Sequence, residues 1–148
     1  MPKPPAPSLN LLKPTLETRF HIDYEWWERS GHDLRLEIQR LCEELSEEPL
    51  EDTEADVIVD WIDPETGQVK RVDRLTYLLL SLCSQRADYI TERTPLIEAV
   101  FRALLATNNR PMTAVELAER IGRPADVILR ALAGRRVYKG IRPLPEDA

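Results

Sequence analysis

The sequence predicts an α+β fold that is mainly helical. Three observations predict it. Apolar residues recur at helical spacing in several stretches, one short run alternates around a turn cluster, and the last third holds two closely spaced helices with sharp start and stop signals. The chain has 148 residues, 43% of them hydrophobic, which is enough for a packed core in one or two small domains. The expected division is a Pro-rich, poorly ordered arm at 1–14, a helical unit with one β-hairpin at 15–92, a second unit at 93–143 and a tail at 144–148.

Each element has its own signal. Five prolines at positions 2, 4, 5, 7 and 14 make the arm an extended segment. Residues 20–30 hold four of the nine aromatics, Phe20, Tyr24, Trp26 and Trp27. Asp23 is placed to cap a short helix through the tryptophans, and Gly31 interrupts it. From about Asp33 to Ser46, Leu34, Ile38, Leu41 and Leu45 fall on one helical face, and Pro49 marks the latest end. Residues 43–56 carry eight acids and one proline, an acidic linker. Val57, Val59 and Trp61 alternate with Ile58, Asp60 and Ile62. Asp63 to Gly67 is a turn cluster, and Gln68 to Val72 returns as a second strand. A helix over 73–84 follows, capped by Asp73, with Leu75, Leu78, Leu79 and Leu82 facing inward. Thr94-Pro95 reads as an N-cap with proline at the first helical position, opening a helix to about Ala106 that Asn108-Asn109 ends.

The pattern sharpens from Thr113. Thr113 and Glu116 form a capping box, Val115, Leu117, Ala118 and Ile121 are the expected buried side, and Gly122 stops the helix. Pro124 starts a second helix with Val127, Ile128, Ala131 and Leu132 facing inward, ended by Gly134. Residues 135–142 then suit a short β-ribbon or an extended wing. The stretch from Met112 to Leu132, with Glu116-Leu117-Ala118, Ile121-Gly122, Val127 and Leu132, resembles the helix-turn-helix of bacterial winged-helix proteins. The resemblance covers the last third of the chain and implies a winged-helix-like unit over 93–143. It implies that the helix Pro124 to Ala133 enters the major groove and that a wing touches phosphate. That helix carries only Asp126 and Arg130 as polar residues, a poor set for reading base edges. A helix so apolar is expected to be covered on nearly all faces.

Charge adds a second clue. Residues 1–92 carry 10 basic and 20 acidic residues, whereas residues 93–148 carry 10 basic and 6 acidic ones. Arg135, Arg136, Lys139 and Arg142 suit phosphate contact by the wing, with Arg123 and Arg130 on the groove helix. The first expectation is therefore a small DNA-binding protein, a transcription regulator making non-specific phosphate contacts rather than reading bases, with the N-terminal unit dimerising or sensing a partner. The alternative is a non-enzymatic adaptor or structural component. In it the helix 124–133 is covered, and Trp26, Trp27 and the acidic surface engage another protein. Free exposure of Arg123, Asp126 and Arg130 on one basic face favours the first, and burial of that face favours the second.

Catalytic chemistry has no clear seat. The five glycines are scattered and form no phosphate loop, and no positioned nucleophile, acid or base stands out. The expectation is that the chain is not an enzyme and takes no cofactor. His21, His32, Cys42 and Cys83 lack the close pairs of a zinc module, so no metal site is expected. His21 beside Asp23 reads as a structural histidine near an aromatic cluster, and the two cysteines as buried, reduced thiols. No apolar run approaches bilayer length, and the opening residues lack an apolar signal segment, so the expected compartment is the cytoplasm.

Overall fold

The computed structural model describes residues 13–46 and 57–145. Most of the Pro-rich arm, linker residues 47–56 and the last three residues lie outside the described residues, and with them the expected helix end at Pro49. The fold is mixed helix and sheet. Among the described residues there are six α-helices, a three-stranded sheet and a two-stranded sheet.

The chain enters through strand β1 (Arg19–Ile22), which buries Phe20 and Ile22 and leaves His21 between them half-buried. Two such side chains contribute roughly 1.5–3 kcal/mol each when buried. Asp23 then turns the chain into α1 (Tyr24–Ser30). Its carboxylate accepts the Glu25 N–H, and Gly31 closes the helix in the left-handed region. Asp33 accepts the Leu36 N–H and starts α2 (Leu34–Ser46), which buries Ile38, Leu41 and Cys42. The expected stripe is thus the packed one, with Leu34 and Leu45 at its half-buried ends.

Strands β2 (Ile58–Ile62) and β3 (Val69–Asp73) pair antiparallel across the turn, Ile62 opposite Val69 and Ile58 opposite Asp73. Trp61 and Val72 on one face pack with Leu80 into a small second core. The other face leaves Ile58, Ile62 and Val69 exposed. Asp73 ends β3 and caps α3 (Arg74–Ser81) by accepting the Thr76 N–H at 2.7 Å. The helix stops three residues short of the expected Ser84, and a 3-10 turn, Cys83–Gln85, follows. Leu82 therefore leaves the helical register and is exposed. Leu80, unassigned in the sequence reading, faces the hairpin core instead.

Helix α4 (Leu96–Ala106) is the central element, with Ala99, Val100, Phe101, Ala103, Leu104 and Leu105 all buried. Its cap is Pro95, one residue later than the Thr94-Pro95 signature implies. The Thr94 hydroxyl instead accepts the Thr91 N–H within the preceding turn. Asn108 and Asn109 both adopt positive φ and reverse the chain, a region asparagine tolerates better than most residues. Short strand β4 (Met112–Thr113) leads into α5 (Ala114–Ile121), which carries the full Thr113–Glu116 capping box and the Gly122 stop. Helix α6 (Ala125–Leu132) buries Ile128 and Leu132, and β5 (Ile141–Pro143) ends the fold. Val115 and Val127, expected inside, are exposed, because the buried stripes run through Ala114, Leu117 and Ile121 on α5 and through Ile128 and Leu132 on α6.

The larger sheet runs β4-β1-β5, with β1 in the middle and antiparallel to both neighbours. The expected ribbon over 135–142 is not formed. Residues 133–136 are bends, and only Ile141–Pro143 is extended, paired with β1. The first strand of the chain occupies the place a local second strand would fill. The Asn109 amide locks it there. Its oxygen accepts the Ile22 N–H at 2.7 Å, and its NH2 donates to the Ile22 carbonyl at 2.9 Å. One continuous core runs from Phe20 through α2, α3 and α4 to Ile128, Leu132 and Ile141, crossing the expected boundary at residue 93. Among the described residues, no helix is long and apolar enough to cross a membrane.

Candidate functional site

The surface that the sequence singles out begins on α6. Two turns of that helix give an inner face, Ile128 and Leu132, and an outer face, Asp126, Val127 and Arg130, followed by Ala133 beyond the last turn. The outer face is exposed, contrary to the expectation that so apolar a helix is covered. Its small residues, Ala125, Ala131 and Ala133, add little apolar area, so exposure is cheap. The Arg130 and Asp126 side chains are 79% and 75% exposed and stand 4.0 Å apart. At that exposure the pair contributes next to nothing to stability. Arg135 and Arg136 follow on the bend, both exposed, and the Arg136 guanidinium lies 5.6 Å over the Tyr138 ring. Tyr138 and Val127 are themselves exposed. The surface thus combines three arginines, a tyrosine, a valine and a single carboxylate.

The remaining cations of this segment turn inward. Lys139 bonds Glu37 of α2 at 2.9 Å and Glu98 of α4 at 2.8 Å, and lies 5.0 Å over the Phe101 ring. Burial alone would lower its pKa, but hydrogen bonds to Glu98 and Glu37 outweigh burial and raise it. The Glu98 carboxyl is pushed up by burial and pulled below its ordinary value by Lys139 and Arg102. Arg142 reaches Asp23 at 3.1 Å, the same carboxylate that caps α1. Arg123 donates to the carbonyls of Thr91, Glu92 and Thr94, at 2.6 Å for Thr94. Arg110 and Arg120 both bond Glu65 at the hairpin turn, whose pKa falls chiefly through the Arg120 hydrogen bond. Of the six basic residues named for phosphate contact, the fold leaves Arg130, Arg135 and Arg136 exposed at the surface within seven positions of one another. Arg123, Lys139 and Arg142 are engaged within the chain.

The tryptophans part company. Trp27 is buried, its ring 5.8 Å from Phe101, and its indole N–H donates to the Lys139 carbonyl at 3.0 Å. It anchors the segment after α6 from inside rather than standing free at a surface. Trp26 is half-buried and stacks on His32 at 5.9 Å. Gly140 sits directly against Trp27. A Cβ there would lie 2.6 Å from the indole nitrogen, and φ is +74°. The cleft beside α1 and α2 is open, and two of its polar side chains are already employed, Asp33 as a cap and Arg35 beside Asp73.

Sequence reasoning missed the carboxylates that meet these cations. Glu37, Glu65 and Asp23 lie between 45 and 119 positions from their partners in the chain, and beyond the capping role of Asp23 only their acidic character was visible. Among the described residues, no group of three or more His, Cys, Asp or Glu side chains could hold a metal ion. No protein-family model, curated protein or solved structure matches the chain.

Proposed function

We propose that this chain is a non-enzymatic adaptor that binds a protein partner through the outer face of α6 and the bend that follows, the winged-helix-like unit serving as the scaffold. One observation carries the reading: two of the four cations expected in a phosphate-gripping wing, Lys139 and Arg142, are held by the chain's own carboxylates, leaving Arg135 and Arg136 exposed. What stays exposed is mixed: Val127, Arg130, Arg135, Arg136 and Tyr138. Arginine and tyrosine beside small apolar residues are the composition of protein-interface hot spots. The complementary partner surface is acidic and carries an apolar recess for Val127 or Tyr138.

Asp126 and Arg130 lie exposed, as the DNA reading requires, whereas Arg123 is tied to backbone carbonyls, so the α6 face also supports a second reading, contact with DNA phosphate. Three arginines give a log–log salt slope of only about −2.7 for duplex DNA, the footprint of a weak binder. Two measurements separate the readings. The first is fluorescence anisotropy of a labelled random duplex with the full chain at low and physiological salt. The second is a photo-crosslinking residue placed at Val127 in cells that produce the protein. The adaptor reading expects no duplex binding at physiological salt and a discrete, protease-sensitive adduct that disappears in the R135E/R136E variant. A nuclease-sensitive adduct, or low-salt duplex binding abolished by R130E/R135E/R136E, replaces it with the DNA reading. No adduct at all removes the adaptor reading.

A further inference from the structure

A pair of reactive groups lies in the core, away from the α6 surface. Cys42 on α2 and Cys83 at the start of the 3-10 turn are both free and both buried in the same core, close enough for each thiol to shift the other's pKa, Cys42 upward and Cys83 downward. They stand forty-one positions apart in the sequence, and packing of α2 against the end of α3 brings them together in the main core. Nothing about their spacing announced this contact.

We propose that Cys42 and Cys83 are a reversible dithiol–disulfide pair that fastens α2 to the end of α3. The two thiols are not equivalent. The neighbouring Cys42 thiol, and then Arg86, favour a thiolate at Cys83 against the opposing effect of burial. Cys42 is held in its protonated form, first by the neighbouring Cys83 and then by burial. Cys83 also retains a sliver of exposure that Cys42 lacks, 7% against 1%. It is therefore the sulfur a small hydroperoxide meets first.

The chemistry closes without a further reagent. The Cys83 thiolate attacks one peroxide oxygen, the S–O bond forms, the O–O bond breaks, and the departing hydroxide takes up a proton as water. Cys42 then attacks the sulfenic sulfur. The S–S bond forms, the S–O bond breaks, and the leaving hydroxide carries off the Cys42 proton as a second water. Two thiols and one hydrogen peroxide become one disulfide and two waters. A thiol reductant reverses the step by exchange. The bond closes a loop that contains β2, β3 and α3, so the hairpin becomes covalently tied to α2. The Glu65 tip of that hairpin holds Arg110 and Arg120. This inference stands on the core geometry and does not depend on what α6 binds.

The test uses the full chain, reduced and then treated with hydrogen peroxide under native conditions. The expected result is a monomer lighter by two hydrogens, a peptide map joining Cys42 to Cys83, and a Tm raised by roughly 10 °C that a thiol reductant reverses. The C42S variant should instead accumulate a sulfenic acid at Cys83 that dimedone traps, and C83S should resist oxidation at Cys42. Three results would overturn the proposal. They are thiols that react only after denaturation, a disulfide that joins two chains, and an oxidised monomer less stable than the reduced one.

Discussion

Gly140 shows how much a single position governs. The bend after α6 must bring the Lys139 carbonyl onto the Trp27 indole while sending the Lys139 ammonium between Glu37 and Glu98. Both demands are met only with the next residue at φ +74° and nothing on its α-carbon. A Cβ there meets a buried ring that is packed on Phe101. The Gly140→Ala variant is therefore expected to lose about 2–4 kcal/mol, the left-handed backbone supplying roughly 1 of these and the clash the remainder. Urea denaturation followed by tryptophan fluorescence measures it. A loss below 1 kcal/mol would mean that the Trp27 ring moves freely, against its role as an anchor. The same position explains why Trp27 could not be assigned from sequence. Two adjacent tryptophans look alike in a chain, and their separation into an inner and an outer ring depends on a carbonyl 112 residues away.

The elements divide by how local their causes are. The helices were legible because their signals lie within one or two turns: Asp23, Asp73 and the Thr113–Glu116 box cap as their residue types require, and Gly31 and Gly122 stop their helices. The β2–β3 hairpin was legible because its two strands are joined by only six residues, rich in turn formers. Strands β1 and β4 were not, since four and two residues are too short to show a period, and β1 finds its neighbours about ninety and one hundred and twenty residues later. The absent ribbon at 135–142 has the same origin. A distant strand takes the pairing that a local one was expected to make. Asn109 is what fixes that distant strand at its end, acting as a surrogate peptide group toward Ile22. Its replacement by alanine leaves a partly buried N–H and C=O without these partners, for a loss of about 2–3 kcal/mol. Amide exchange should locate the effect, with protection falling first at Ile22 and at its neighbours in β1. Uniform loss across all helices with β1 unchanged would show that Asn109 serves only the α4 turn.

For the molecule as a whole, the acidic first part of the sequence and the basic last part meet, among the described residues, in four ion pairs. Asp23, Glu37 and Glu65 from the first half receive Arg142, Lys139, Arg110 and Arg120 from the second. The composition showed the asymmetry, yet whether the charges meet inside one chain or await a partner is a matter of distance. Burial and these ion pairs make stability depend on pH in three separate windows. Burial lowers the pKa of His21 below 6.5. Asp23 opposes that shift and Arg142 adds to it. A histidine that resists protonation when folded binds fewer protons than the unfolded chain between 6.5 and its lowered value, so stability falls as pH drops through that window. Glu65 and Glu98 have lowered folded values, so their contribution is complete above 4.5 and is lost as pH falls through those values. Lys139, raised when folded, contributes fully below 10.5 and loses its part only as pH rises through its folded value. A Tm profile should therefore begin to decline just below about 6.5 and steepen below about 4.5. In the His21→Gln variant the first decline should vanish while the second remains, because the carboxylates are untouched. If wild type and variant instead trace parallel curves between neutrality and 4.5, the desolvation of His21 is not felt by the fold, and the acid response belongs to the ion pairs alone.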